Sequence, residues 1–591
     1  MAEVSNFITG GLNGQSDADS EQVLSTFRLL GQLVADRQQL NMQMEEVSAL
    51  ILPAFRGTFQ AGAFGVMPIP YAKKTDQQID STGMLALDRF MAICDSLLTP
   101  KNQTWHGMSG DAYLMKDKAT RTWYYNTTRK LFKMRYANTS GFVPNNQGIW
   151  TSLGAFGNGV MYTDKFYDLQ NHINGLRYTS IPFGEIYLTH NHQGVNDGYI
   201  RIMRYTAEQA LKRPEWKEAL KDVNILTQAA KLGSQQKFIF LQHVCPRDDY
   251  DPSRLDYLGM PYASYYIMQD TRMMISKGGY NTLPISATRY IQAPGELNGR
   301  SIAMSVLPAL KTLNAEKKVF LKQGHRAADP VILLPDGGLM NANLKPGAQN
   351  AGGMNADGKR LVDILPSGEI QISKEMMGME IDLINDAFLI KLFAIAADPR
   401  SGTTATEVIE KINEKGILIA PTLGRQEGEY LGNLIHREID LLAQMGELDP
   451  FTPAMREAKD KYTVTYDSPL SRASRAQEAA GFMRTVETTK ELVNITGDVS
   501  LLDQFDFDTA IPAIAQINAV PEPWMASPTQ VAQKRQARAK AAQTQQQIQA
   551  APAAAGMIKA QAAAAKAGVG PAQRNIAPGP GQPAPGSIPG P

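Results

Sequence analysis

Residues 298–323 read NGRSIAMSVLPALKTLNAEKKVFLKQ. Ile302, Val306, Leu310, Leu313 and Phe320 recur at roughly helical spacing, while Lys311, Asn314, Lys318 and Lys322 fall largely on other faces. Pro308 lacks a backbone donor, so the pattern predicts a kink or a split into two helical pieces there. A helix with lysines and almost no acid on its other faces can be a solvated face, a subunit contact, or the wall of a passage for a polyanion. The pattern alone leaves all three open.

Apolar periodicity elsewhere is mostly helical. Residues 21–52 carry Val23, Phe27, Leu30, Val34, Met42 and Val47 at helical spacing and stop at Pro53, which predicts one long helix. Further helices are expected over 82–98, 118–137, 148–163, 376–396, from 404 to about 415, and over 426–446. Residues 206–231 also read as helix, interrupted by Pro214. Alternation takes over at 176–202, 237–244 and 262–268, with a weaker candidate at 289–292, and turn residues separate these runs. The expected fold class is therefore α+β and helix-dominated, with a small β-rich module between helices at 206–231 and 299–322.

At 591 residues the chain exceeds what one core supports, about 250–300 residues, so several regions are expected. The formal net charge is only +1, but it is unevenly spread. From 523 to 591 there is no Asp or Glu, and Lys534, Arg535, Arg538, Lys540, Lys559, Lys566 and Arg574 supply seven positive charges. Residues 1–522 consequently carry −6. A mildly acidic body with a basic tail fits local, weak contact with nucleic acid, or simply a solvated tail. Residues from 528 are Ala/Gln-rich and compatible with helix, whereas the last twenty are Pro/Gly-rich and expected to be disordered. Cys94 and Cys245 are too few and too far apart for a disulfide framework, which suits a reducing compartment. No secretion signal is evident at the N-terminus, and the most apolar run, 387–397, is too short to span a bilayer.

Catalytic chemistry is weakly represented. Residues 353–360, GMNADGKR, have the glycine and lysine spacing of a phosphate-binding loop, but Arg360 stands where a Mg²⁺-binding Ser or Thr is needed. No apolar strand runs into that loop. His190 and His192, with His172 nearby, read as surface histidines rather than metal ligands. Asp248, Asp249 and Asp251 read as a solvated turn, and Asp503, Asp506 and Asp508 as helix capping. No catalytic residue, metal site or cofactor is expected.

Four segments in order resemble the head-to-tail connector, or portal, family of short-tailed bacteriophages. They are Leu97-Leu98-Thr99-Pro100 before Asn102-Gln103-Thr104-Trp105; Gly299-Arg300-Ser301 with Leu307-Pro308 and Lys311-Thr312-Leu313-Asn314; Thr404-Ala405-Thr406-Glu407-Val408; and the helix 431–446 ending in Leu448-Asp449-Pro450. The resemblance covers roughly residues 21–500. It implies a twelve-subunit ring around a channel for double-stranded DNA at one capsid vertex of a virion assembled in the host cytoplasm. It further implies a flexible leader (1–20), a wing (21–204 and 324–480), stem helices (205–232 and 298–323), a clip (233–297), a crown (481–527) and a basic tail (528–591). Implied partners are further copies of the chain, the terminase large subunit that docks at the clip, tail adaptor or nozzle proteins, and the capsid or scaffold protein. The resemblance puts Arg400 near the channel constriction, between helices at 376–396 and 404 onward. Lys311, Lys318 and Lys322 are channel candidates that can equally face a neighbouring stem helix. Lys534, Arg535, Arg538 and Lys540 become the DNA-proximal bases of the tail. Motor work would come from the separate terminase. The rival readings are a packaging ATPase or nuclease, and another virion structural protein such as a tail or capsid subunit.

Overall fold

In the computed structural model the long N-terminal helix is divided into α1 (Asp17–Asp36) and α2 (Gln38–Leu50) at Arg37. The backbone ladder runs through the junction, from Arg37 N to Leu33 O at 3.2 Å and from Asn41 N to Arg37 O at 2.9 Å. What marks the junction is a buried guanidinium. Arg37 Nη1 donates to Phe183 O at 3.1 Å, and the group lies 3.8 Å from the Tyr187 ring centroid. The described residues run from 17 to 566, apart from 61, 66–70, 112, 169–172, 334–342, scattered positions between 344 and 369, 391–423, 459–461, 467–468, 518–519, 521–523 and 527. The contacts divide the chain into residues 1–519 and residues 520–591.

Helix α3 (Thr82–Leu98) has the expected bounds, and α4 (Lys118–Arg135) begins where Asp117 accepts from Ala119 N and Thr120 N. The helix expected over 148–163 is instead α5 (Phe142–Phe156), stopped at Gly157, whose φ of 75° makes a left-handed C-cap. The chain then enters β2 (Asn158–Asp168). The glycines at 154, 157 and 159 permit close packing or a helix end, and Gly157 supplies the end. Gly154 has a packing role. A Cβ there would lie 2.6 Å from Leu87 Cδ1, so α3 and α5 touch closely. Phe90, Trp150, Leu153 and Phe156 fill the resulting core with Met44 and Val47 of α2.

Two antiparallel sheets follow. β3 (Ile173–Ser180), β2 and β9 (Ile285–Arg289) form one, in the order β3-β2-β9. The other has the order β4-β5-β6-β7-β8, from β4 (Ile186–His190), β5 (Asn196–Thr206), β6 (Lys237–Pro246), β7 (Tyr262–Met268) and β8 (Met273–Tyr280). Strand β8 carries Lys277, Gly278 and Gly279 and lacks clean alternation, which is why its sequence did not announce it.

These sheets correct the expected stem and clip. Residues 205–232 are not one long helix but three short ones, α6 (Ala207–Leu211), α7 (Pro214–Leu220) and α8 (Asn224–Lys231). Pro214 starts α7 instead of kinking a longer helix, because its missing donor is harmless in a first turn. Trp216, Leu220 and Leu226 are buried with Phe238, Phe240, Tyr266 and Met268 of the five-stranded sheet. Residues 233–297 are likewise no separate module. β6 pairs with β5 and β9 pairs with β2, so this stretch is stitched into sheets begun before residue 206.

The split at Pro308 appears as expected. α9 (Ile302–Ser305) is followed by α10 (Leu307–Ala328), with Pro308 in the first turn of α10. The partner of α10 is α11 (Ile370–Ala387), from the C-terminal side. Ser373 Oγ and Gln323 Oε1 bond at 3.1 Å, joining the end of α10 to the start of α11. Beyond that end, β10 (Ile332–Leu333) and β11 (Asp363–Ile364) pair antiparallel. At the other end Phe388 returns to Phe90 of α3, ring centroids 6.2 Å apart. The two helices are therefore an antiparallel hairpin rooted in the α3 core. The helix expected from 404 lies outside the described residues, as does the distal part of 376–396.

A π-helical turn (Glu427–Gly432) leads into α12 (Asn433–Gln444), within the expected 426–446 helix. α13 (Pro453–Glu457) precedes β12 (Thr463–Tyr466), which pairs with β1 (His106–Ser109). α14 (Pro469–Thr496) and α15 (Phe507–Ile517) complete the first unit. In the second unit, the Ala/Gln-rich stretch is the single helix α16 (Pro528–Lys566), as its propensities allow.

Candidate channel and assembly elements

The lead-in Gly299-Arg300-Ser301 is held by backbone-scale contacts. Asn158 Nδ2 donates to Gly299 O at 2.9 Å, and Gly299 N donates to Asn158 Oδ1 at 2.8 Å. A Cβ at Gly299 would lie 2.3 Å from Gly157 O, so only glycine lets the two backbone segments meet. Arg300 pairs with Glu296, and Ser301 caps α9 by accepting from Met304 N at 3.0 Å. Asn314 fixes α10 sideways. Its Oδ1 accepts from Ile79 N at 2.7 Å and Asp80 N at 3.1 Å, and its Nδ2 donates to Gln77 O at 2.9 Å. Leu310 and Leu313 are buried, with Leu310 seated over Gly83 of α3. The segment with the most distinctive sequence is thus an anchor that sets where α10 leaves the body.

Past that anchor the hairpin is charge-polarised. α10 carries Lys311, Lys317, Lys318, Lys322 and Arg326 against one acid, Glu316. α11 carries Glu375, Glu380, Asp382 and Asp386 against one base, Lys374. On α10, Lys311, Lys318, Lys322 and Arg326 are exposed and lie at helical spacings along one side, opposite Leu313 and Phe320. On α11, Glu375, Asp382 and Asp386 form the corresponding exposed stripe, opposite Met377 and Ile384. The structure brings the three predicted lysines onto one stripe, although Lys311 already meets Glu46 at 2.6 Å. The α11 stripe was not singled out in the sequence; its 375, 382, 386 spacing was the available signal. Apolar side chains flank both stripes: Val319 and Leu321 on α10, and Met376, Met379 and Leu383 on α11, with Met379 72% exposed. Arg400 lies outside the described residues, so the structure does not place it. Lys534, Arg535, Arg538 and Lys540 are exposed on α16.

A buried ionic network ties α4 to α12. Arg135 Nε donates to Glu438 Oε1 at 2.9 Å, its Nη2 meets Glu438 Oε2, and Tyr178 Oη donates to Glu438 Oε1 at 2.6 Å. Burial opposes the Arg135 charge, but the adjoining Glu438 carboxylate overrides it and holds the guanidinium firmly protonated. Arg135 Nη1 lies 2.9 Å from His106 Nε2. Arginine can only donate, so His106 accepts at Nε2 and carries its proton on Nδ1. Burial, then the Arg135 charge, keep the His106 imidazole neutral far below the usual range.

Among the described residues the enzyme-like motifs do not assemble. Gly358 has a φ of 77°, Met354 bridges Arg360, and the next described element is the strand β11 rather than a helix. A phosphate loop requires strand before and helix after. Asp251 accepts from Ser253 N and Oγ at 3.0 and 2.6 Å, and Asp249 pairs with Arg247 at 3.3 Å: a self-contained turn. Asp506 caps α15 by accepting from Asp508 N and Thr509 N. His190 is half-buried at the end of β4, and His192 is exposed. Among the described residues, no group of three His, Cys, Asp or Glu could hold a metal, and no helix is long and apolar enough to cross a membrane.

What remains is a helix-dominated α+β protein whose distinctive features are an anchored, charge-polarised hairpin and an acid-free basic helix: the features of an assembly component. Residues 26–525 match the family of bacteriophage head to tail connecting proteins, and the chain belongs to that family. It is similar to the portal protein of Salmonella phage epsilon15, 23% identical over 499 residues, covering 82% of this chain and 86% of the relative. It is also similar to the probable portal protein of Bordetella phage BPP-1, 25% identical over 534 residues, covering 88% and 91%. The chain is a head-to-tail connector, or portal, protein of a phage virion, and the family is structural rather than enzymatic.

Proposed function

We propose that twelve copies of this chain form a ring at one capsid vertex, through which double-stranded DNA is packaged and ejected, and on which the terminase large subunit and tail adaptor proteins dock. The observation that carries this reading is the family match over 26–525 together with the α10–α11 hairpin, a two-helix projection anchored in the body core. In this reading α10 and α11 are the stem and residues 329–369 between them are the clip. Residues 205–297, stitched into the sheets, then belong with 21–204 to the wing. Residues 481–527 remain the crown, and α16 begins the basic tail. The ring's capsid or scaffold contacts would come from the wing.

DNA must slide, so strong local binding would impede transport, and sparse positive charge gives weak, salt-sensitive contact instead. Arg400 is a candidate for the constriction. Lys534, Arg535, Arg538 and Lys540 are candidates for touching the packaged genome, and the exposed Lys311, Lys318 and Lys322 for facing either the passage or the next copy. A guanidinium ring at the constriction would hold phosphates by charge-assisted hydrogen bonds. Averaged electron micrographs of the purified protein test the proposal. Rings with an axial hole wide enough for duplex DNA, formed without nucleotide and without ATP hydrolysis, are expected. A compact particle with no hole, or hydrolysis lost in Lys359→Ala, would overturn it.

A further inference from the structure

The stripes on α10 and α11 lie on opposite outer sides of one hairpin. Gln323 and Ser373 bond across the inner side, where Leu313, Phe320, Met377 and Ile384 also point, so the exposed cations look one way and the exposed carboxylates the other. A slab with a positive side and a negative side is self-complementary only head to tail. That is the arrangement of a heterologous interface, which closes into a ring when the rotation permits.

Resting on the ring reading above, we infer that the cationic stripe of α10 in one copy docks on the acidic stripe of α11 in the next, and that this contact joins neighbouring copies. The occupant of each stripe is thus a second copy of this chain. Charge complementarity between the stripes argues for it, and so do the apolar flanks. Val319 and Leu321 border the lysines, and Met376, Met379 and Leu383 border the carboxylates, all exposed in the single chain. Exposed apolar side chains rimmed by charge are what an interface leaves uncovered. Register supports it as well. The Gln323–Ser373 contact sets the antiparallel levels, which put Lys322 level with Glu375, Lys318 between Glu375 and Asp382, and Lys311 near Asp386. Copies related by rotation about an axis along the hairpin keep these levels. The lysines therefore serve mainly the neighbour rather than the DNA.

The test is a charge swap read by native mass spectrometry and negative-stain microscopy at 150 mM salt, about physiological. One variant carries Lys318→Glu and Lys322→Glu; a second carries Glu375→Lys and Asp382→Lys. Each alone is expected to weaken association by at least about tenfold per interface, ~1.4 kcal/mol, and to lose rings. Mixed one to one, they are expected to regain rings, because each supplies the side the other lacks. Rings from either variant alone at the wild-type yield, as a DNA-facing stripe would give, overturn the inference, and so does a mixture of folded variants that stays monomeric. If a variant does not fold, Lys322→Cys with Glu375→Cys decides: oxidation should link copies into a ladder, and its absence refutes the contact. A wild-type protein that forms no rings would instead sink the portal reading itself.

Discussion

Replacing Glu438 by Gln is the most incisive single perturbation of the body that carries the hairpin. The substitution keeps shape and removes one charge. Arg135 has no exposed side-chain surface, as does Glu438, and the pair is bidentate with Tyr178 as a further donor. Removing one partner of a buried pair leaves the other charge uncompensated and costs about 3–5 kcal/mol. The guanidinium would still touch His106 Nε2 and lie 4.6 Å from the Trp105 ring centroid, so the lower end, about 3 kcal/mol, is expected. Urea unfolding followed by tryptophan fluorescence should show this as a lower midpoint, Trp105 being 1% exposed. The double variant Arg135→Met with Glu438→Leu should recover most of the loss, since an apolar pair of similar volume avoids the desolvation of both ions. A Glu438→Gln loss below about 1 kcal/mol would be the value of an exposed pair, and would refute the claim that these charges are sealed from water.

Two further outcomes follow from the same packing. His106 and His243 are both buried; burial leads in holding both imidazoles down, His243 to about 4. A depressed histidine contributes stability above its unfolded pKa of about 6.5 that is lost as pH falls, because only the unfolded chain takes up the proton. Between pH 6.5 and 5 the two should remove about 3 kcal/mol together, and a urea midpoint that stays flat over this range would contradict their burial as neutral groups. Gly299→Ala should destabilise by about 1–3 kcal/mol through overpacking against Gly157, whereas Gly324→Ala, in open space on α10, should stabilise by about 0.5–1 kcal/mol. Equal effects in differential scanning calorimetry would show that the Gly299 contact does not constrain the backbone.

Helices with an uninterrupted apolar stripe were legible from sequence: α3 at its bounds, α4 nearly so, and the α9/α10 split at Pro308. Local chemistry fixes these, since periodicity, capping Asp117 and Ser301, and proline's missing donor act within a few residues. The family was legible too, because motifs such as Gly299-Arg300-Ser301 and Asn314 preserve tight backbone contacts that few other residues satisfy. Partnership was not. Residues 205–232 and 298–323 share helical character, but only tertiary packing sends Trp216 and Leu220 onto a sheet and gives α10 the distant α11 as its partner. Apolar burial is non-directional, so a stripe announces that it will be covered without saying by what. The polarity of the hairpin is likewise tertiary: lysines at 311, 318 and 322 and carboxylates at 375, 382 and 386 are 64 residues apart pair by pair in the chain, and folding alone sets them back to back.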